Sequence, residues 1–431
     1  MNGPDSRRRA GTDAVTIALG YLTSFAYPLV SLPFLARVLG VADLGVVMLL
    51  LAVLQVVIHV TDFGFSISAL RRASLARTVA ERSQVLMETV WAKTLIWLVC
   101  TVVMIAVTLV VPGLHEHAGA MMLGLLLVLA GAWYPGWMLQ AMGRMLTFAL
   151  VMSLSRIIAL GGLLLTVRDP AHMDLAVAWQ LAPQALAAVI TWWLLVRVWG
   201  SARVVWVTRL GVTTALRDSA PLFVSNATVV VTASTSSLAL GAFAAPSQVA
   251  FFGAAERFGN AVRGVMRGVV DAMLPRMAAG NVAGMRRFVS LGVVAAYGTA
   301  GACLAIGAGW VIPWYLGADM VGAIWPTRLV GVMIMIAGIT TVLTLHANAE
   351  HRYGLVARLT AIGAVVHVAL CIPAVLWAGA VGATLALIVT ETVMATLFLH
   401  DLLRRRSAGA RGAQAGADAH GRRARRVDLG I

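Results

Sequence analysis

The chain has 431 residues, 60% of them hydrophobic and 12% charged, with a formal net charge of +15 and a mean hydropathy of +0.88. Soluble domains carry about 25% charged side chains, so a soluble globular protein is excluded, and the apolar residues fall in runs of about twenty, enough to cross a hydrocarbon core as a helix. The basic excess, all arginine apart from Lys93, sits between those runs and is nowhere interleaved with aromatics in a soluble segment, which speaks for membrane orientation and against nucleic acid.

In chain order, residues 1–13 form a short arm. Six spans follow, over 14–34, 44–62, 88–111, 118–140, 146–167 and 175–196, which make a first half of 14–199. A charged linker, 200–218, leads to a second half of 219–403, with spans over 219–241, 249–274, 288–312, 324–346, 354–377 and 381–400. Residues 404–431, rich in Arg, Gly and Ala, predict a disordered basic tail at the anionic cytoplasmic leaflet. The fold class expected is therefore an all-α polytopic membrane protein of about twelve transmembrane helices in two six-helix bundles.

Arginines in alternate loops set the orientation. Arg7 to Arg9, Arg71, Arg72, Arg77, Arg82, Arg144, Arg197, Arg203, Arg209 and Arg217 fall on one side, and Arg37, Arg168 and Arg328 on the other. Both termini are thus expected in the cytoplasm. The first apolar run is too long for a signal peptide and lacks a clear cleavage site. Each half opens with a polar helix and a Leu-Gly turn, Leu39-Gly40 and Leu240-Gly241, which suggests a parallel repeat with a substrate path between the halves. Cys100, Cys303 and Cys371 have no metal or redox spacing.

An ionisable residue at mid-helix costs about 2.5–3.5 kcal/mol to insert and is usually turned inward. The eighth span carries the most. At 100° per residue, Glu256, Asn260, Arg263, Arg267 and Asp271 share an arc of roughly 80°, with Arg257 just beside it. Mutual neutralisation along the helix accounts for Glu256, Arg267 and Asp271 equally well. It accounts less well for Arg263, roughly 21 Å from the outer end, or for Arg156 in the fifth span, about 15 Å from the cytoplasmic end. Those two predict a water-filled cavity, whereas Lys93 is expected to snorkel. Uncharged polar stripes lie on the first span (Thr16, Gly20, Ser24, Tyr27, Ser31) and the seventh (Ser225, Thr228, Thr232, Ser236), although hydroxyls also serve ordinary helix contacts. Pro28, Pro33 and Pro221 permit bending. His367 is expected to be a packing residue, and Glu391 is a candidate proton carrier. No metal-ligand spacing, phosphate-cradling loop or nucleophile elbow is found, so no metal, no cofactor and no enzymatic activity are expected.

The stretch Leu32-Pro33-Phe34-Leu35-Ala36-Arg37-Val38-Leu39-Gly40, then Leu44-Gly45, then Asp62-Phe63-Gly64-Phe65-Ser66-Ile67-Ser68-Ala69 with Arg71, resembles the N-terminal pattern of Wzx-type oligosaccharide flippases. Ala254-Ala255-Glu256-Arg257-Phe258 and Leu274-Pro275-Arg276 resemble the eighth-helix pattern of that family. The resemblance implies the fold of the multidrug, oligosaccharidyl-lipid and polysaccharide exporter (MOP) superfamily, which includes MATE transporters: two six-helix bundles around a V-shaped cavity lined by helices one, two, seven and eight. It implies a multi-pass protein of the inner, or plasma, membrane that moves an oligosaccharide on a polyprenyl pyrophosphate from the cytoplasmic to the outer leaflet. The partners expected are this lipid-linked oligosaccharide, membrane lipids, and a polysaccharide polymerase or glycosyltransferases, with no nucleic acid.

A guanidinium pairs with phosphate through two parallel bonds and keeps its proton, so Arg156, Arg257, Arg263 and Arg267 are the expected pyrophosphate contacts. Glu256, Asn260, Asp271, Ser24, Tyr27 and Thr232 are expected as cavity or coupling residues, and Arg37 and Asp62 as gate or bundle-interface residues. A peptidoglycan-precursor flippase and an ion-coupled drug or metabolite antiporter are the nearest alternatives, the latter requiring acidic residues in the cavity. A membrane-embedded glycan ligase or polymerase needs a large external loop or catalytic cluster, and neither is present.

Overall fold

The protein was analysed as a computed structural model, which describes the backbone of residues 4–279, 283–350 and 352–428, and side chains for most of 26–266, 290–350 and 352–405. The regular elements among the described residues are all helical, as a chain without water partners for its backbone requires. The first half comprises α1 (Pro4–Asp62), α2 (Phe65–Leu75), α3 (Val79–Val110), α4 (Pro112–His115), α5 (Ala118–Ala132), α6 (Gly136–Ala141), α7 (Met145–Thr166) and α8 (Met173–Trp193). The second comprises α9 (Arg209–Phe243), α10 (Pro246–Ala279), α11 (Ala283–Leu316), α12 (Ile324–Ala349) and α13 (Tyr353–Asp428).

Among the described residues, eight helical stretches are long and apolar enough to cross a membrane. Two of these, Ala26–Leu75 and Gly354–Arg405, are 50 and 52 residues long, more than twice the roughly 20 residues that one crossing takes. Helical geometry breaks inside each, at Gly40 (φ 77°) and at Ala378-Gly379 (φ 54° at the glycine). Only a residue without Cβ holds such φ values at little cost. Each stretch therefore holds two spans. The helices α9 and α10, of 35 and 34 residues, also have the length to cross, which brings the stretches of crossing length among the described residues to the expected twelve.

Several expectations give way. Leu240-Gly241 is not a turn: α9 runs on to Phe243, and α10 starts at Pro246, where a missing N–H is harmless. The span expected over 118–140 is interrupted between α5 and α6 around Pro135. Indole groups tie down the interruption, with Trp192 Nε1 donating to the Trp133 carbonyl at 2.9 Å and Trp133 Nε1 to Thr94 Oγ1 at 3.1 Å. The linker 200–218 is extended only as far as Thr208, whose hydroxyl caps α9 by accepting from the Gly211 N–H at 3.1 Å. Residues 404–428, expected to be disordered, continue α13 as helix, in line with the high helix propensity of Ala and Arg.

Within the first half, α1 packs on α5, α7 and α8, and α8 on α5 and α7; within the second, α12 packs on α11 and α13, and α13 on α9. Gly301 and Gly331 bring α11 and α12 into backbone contact, the small-residue approach typical of lipid-embedded helices. The halves meet where the second span of α1 lies on α9 and α10. There Gly45 touches the Pro246 carbonyl, Met48 touches Gly253, and Leu49 touches Gly241. Leu32, Leu44, Leu50, Leu240 and Phe252 are buried in one core cluster that crosses this boundary. Large apolar side chains such as Val99, Ile157 and Leu165 face outward, as a lipid-facing surface requires.

Candidate functional site

The polar stripe of α10 supplies the site. Its charged residues are held in place by helix neighbours and by α12: Arg263 donates through Nη2 to Asn260 Oδ1 at 2.7 Å, and its Nη1 lies 3.7 Å from Met333 Sδ. Glu256 lies within electrostatic reach of Arg257 and Arg263. From the opposite half, the Tyr27 hydroxyl donates to the Trp179 carbonyl at 2.6 Å, which fixes the first span of α1 on α8, and Tyr27 stands close enough to Arg257 to interact with it. Arg257 Nη1 is buried, with no hydrogen-bond partner among the described residues. A guanidinium nitrogen in that state is costly.

The structure thus brings Tyr27, Glu256, Arg257, Asn260 and Arg263 together. It adds Glu391 from the last span, within electrostatic reach of Arg263. Among the described side chains the cluster thus holds two arginines and two glutamates. Arg156 lies on α7, where it approaches Tyr134 of the first half. Thr232 is half-buried on α9. The side chains of Ser24, Arg267 and Asp271 lie outside the described residues.

Arg37 and Asp62, each expected at a gate or bundle interface, have different surroundings. Arg37 bridges the halves through Nη2, which donates to the Tyr315 carbonyl of α11 at 3.2 Å, while the Tyr315 hydroxyl donates to the Leu29 carbonyl. Asp62 instead turns into the first half, where its Oδ1 accepts from Lys93 Nζ at 2.8 Å and from Ser66 Oγ at 2.7 Å. Lys93 does not snorkel: its side chain is 7% exposed, because a carboxylate inside the bundle offers a nearer partner than the membrane surface. Beside it, the Asp62-Phe63-Gly64 signature acts as a joint. Phe63 stacks on Phe223 of α9 at 4.5 Å, Gly64 lies against Leu222, and Ser68 Oγ meets Ser219 Oγ at 2.6 Å.

Part of the seventh-span stripe faces packing. Ser236 Oγ lies 3.1 Å from His367 Nε2, and Thr390 Oγ1 lies 3.3 Å from Nδ1, so His367 is satisfied in the core. At the end of the second half near Ala349, Arg352 grips Asp401 through two bonds of 2.6 and 2.9 Å. These bonds hold the Arg352 proton even more tightly than usual.

A family model described as "Polysaccharide biosynthesis protein" matches residues 10–280. A candidate O-antigen transporter of Escherichia coli (strain K12) is 21% identical over 266 residues, 62% of this chain and 64% of that protein, so the matched region spans just under two thirds of that relative. A candidate O-antigen transporter of Shigella dysenteriae is 23% identical over 387 residues, 87% of this chain and 95% of that one. Among solved structures, the inward-facing conformation of a multidrug resistance MATE family transporter of the MOP superfamily superposes with a TM-score of 0.73 at 14% identity, over 92% of this chain and 98% of that one. An outward-facing conformation gives 0.56 at 14% identity, over 92% and 94%.

Proposed function

The chain belongs to the polysaccharide biosynthesis protein family and has the MOP-type fold, and from that premise we propose that it is a flippase for a lipid-linked oligosaccharide. It carries an oligosaccharide on a polyprenyl pyrophosphate from the cytoplasmic to the outer leaflet of the plasma membrane, with both termini in the cytoplasm, by opening its central cavity to each side in turn. The named relatives support the glycan class. The observation that carries the reading is the buried Nη1 of Arg257, without a hydrogen-bond partner among the described residues, between Tyr27 and Glu256.

A pyrophosphate cannot enter hydrocarbon bare, and Arg257 with Arg263 offers charge-assisted bonds to it. Glu256 and Glu391 hold the arginines in the absence of substrate, and their carboxylates give the cycle a place to take up a cation or proton. Arg37 closes the outer side through Tyr315. The proposed product of transport is the same lipid-linked glycan in the other leaflet, and no covalent bond is made or broken.

Deleting the gene and measuring lipid-linked oligosaccharide on each leaflet tests the proposal. Accumulation on the cytoplasmic face, reversed by the wild-type gene and not by Arg257→Ala at equal protein level, is the expected result. Unaltered glycan export in the deletion strain overturns it.

A further inference from the structure

The first half contains a cavity of about 440 Å³, lined by residues of α1, α2, α3, α5, α6, α7 and α8. None of its lining residues belongs to the α10 cluster. Its wall holds three carboxamides and three flat rings: Gln55, Gln140 and Gln184 stand beside Tyr134, Trp137 and Phe148. The charge within it is already balanced, since Asp62 is held by Lys93, and His59 Nε2 lies 3.1 Å from Gln55 Nε2. Neutrality disfavours an anion, and a carboxylate already engaged by an ammonium disfavours a metal cation.

Two hydroxyls of this wall, Thr61 Oγ1 and Tyr134 OH, are buried with no hydrogen-bond partner among the described residues. Thr61 is only 1% exposed. A buried hydroxyl left unpaired costs free energy, and a ligand that brings its own hydroxyls removes that cost. Carboxamides present a donor and an acceptor side by side, which matches neighbouring ring hydroxyls, and aromatic faces pack on the apolar C–H face of a pyranose. The volume falls within the range of about 300–1,000 Å³ typical of small-molecule sites, which admits the short end of a glycan and not its length.

We propose that this cavity is a glycan subsite that binds a neutral sugar residue of the transported molecule, an inference that rests on the flippase reading above. Residues of α7 lie at both sites. Tyr27, beside Arg257, packs on Ala159, and one helical turn away Arg156 approaches Tyr134 at the cavity wall. A pyrophosphate at Arg257 therefore places the attached sugars towards the first half.

Saturation-transfer NMR on the full chain in lipid nanodiscs tests this, with free D-glucose, D-galactose, L-rhamnose and N-acetyl-D-glucosamine as probes. The expected result is a saturable signal from at least one of these sugars, weakened about 3- to 10-fold by Thr61→Val and by Tyr134→Phe, the cost of one neutral hydrogen bond each. Neither change should lower the unfolding midpoint, since the deleted hydroxyls have no partner in the protein; a purely structural role would move stability and leave the sugar untouched. Gln184→Ala should act in the same direction, and if that variant does not fold, the two hydroxyl deletions carry the test. No saturable sugar signal, or unchanged affinity in the variants, overturns the subsite. So does a loss of sodium binding in the variants with sugar affinity intact, which would make the cavity a cation site. Titration of inorganic pyrophosphate into wild type and Arg257→Ala reads the other site separately. Pyrophosphate binding without sugar binding overturns the subsite alone, and sugar binding without pyrophosphate binding overturns the anion site alone.

Discussion

Replacing Lys93 by methionine should destabilise the first half, because it leaves the Asp62 carboxylate inside the bundle without its ammonium. Nζ and Oδ1 are 2.8 Å apart, with side chains 7% and 30% exposed. Removing one partner of a buried pair costs about 3–5 kcal/mol. Asp62 keeps the Ser66 bond and borders a cavity, so the loss for Lys93→Met falls near or below the low end, about 2–3 kcal/mol. Asp62→Asn strands the more deeply buried charge and should cost about 3–5 kcal/mol. The double variant removes both charges, and methionine fills the space of the lysine stem, so it should recover most of what either single change loses. Equilibrium denaturant unfolding of the purified protein in detergent micelles, followed by tryptophan fluorescence, measures all three. Single losses below about 0.5 kcal/mol, the level of exposed pairs, or a double loss equal to the two singles together, would refute the account of a pair stabilised by mutual neutralisation.

Gly331→Val places a branched side chain against the Gly301 carbonyl and Ala305 and should cost about 1–3 kcal/mol by overpacking, seen as a lower midpoint in the same unfolding assay. Arg37→Ala removes the bond to the Tyr315 carbonyl and should increase labelling of a cysteine placed near Gly40 by an impermeant thiol reagent in intact cells. Unchanged labelling would mean that Arg37 does not hold that end shut. Thr78→Ala deletes the cap that accepts from the Glu81 N–H at 3.1 Å and should lower stability by about 0.5–2 kcal/mol, with Thr78→Ser close to wild type in the same unfolding measurement.

Hydropathy made the twelve spans legible, and helical arithmetic within a single span placed Glu256, Arg257, Asn260 and Arg263 together, since their geometry depends on no other element. What hydropathy lacks is register between helices. Nothing in the spacing of Asp62 and Lys93 says that they meet, and the same holds for Arg37 with Tyr315 or Arg263 with Glu391. Lys93 was further disguised by the charged first turns of α3. The helix starts at Val79, so Lys93 stands about 21 Å along it at 1.5 Å per residue, and not a turn inside a span that starts at Glu88. Gly241 misled for a different reason: a glycine next to a leucine can end a helix or let a neighbour in, and here it receives Leu49. The cavity in the first half was invisible because its wall draws residues from seven helices.

The contact between Gly45 and the Pro246 carbonyl joins the halves through backbone atoms. Side-chain ordering costs nothing for Gly or Pro, against as much as about 2 kcal/mol for a long flexible residue. At that one contact there are no rotamers to freeze, whereas Met48 and Leu49 beside it lay side chains on Gly253 and Gly241. A side chain at position 45 would run into the Pro246 carbonyl, so a bulkier residue there would push the two halves apart.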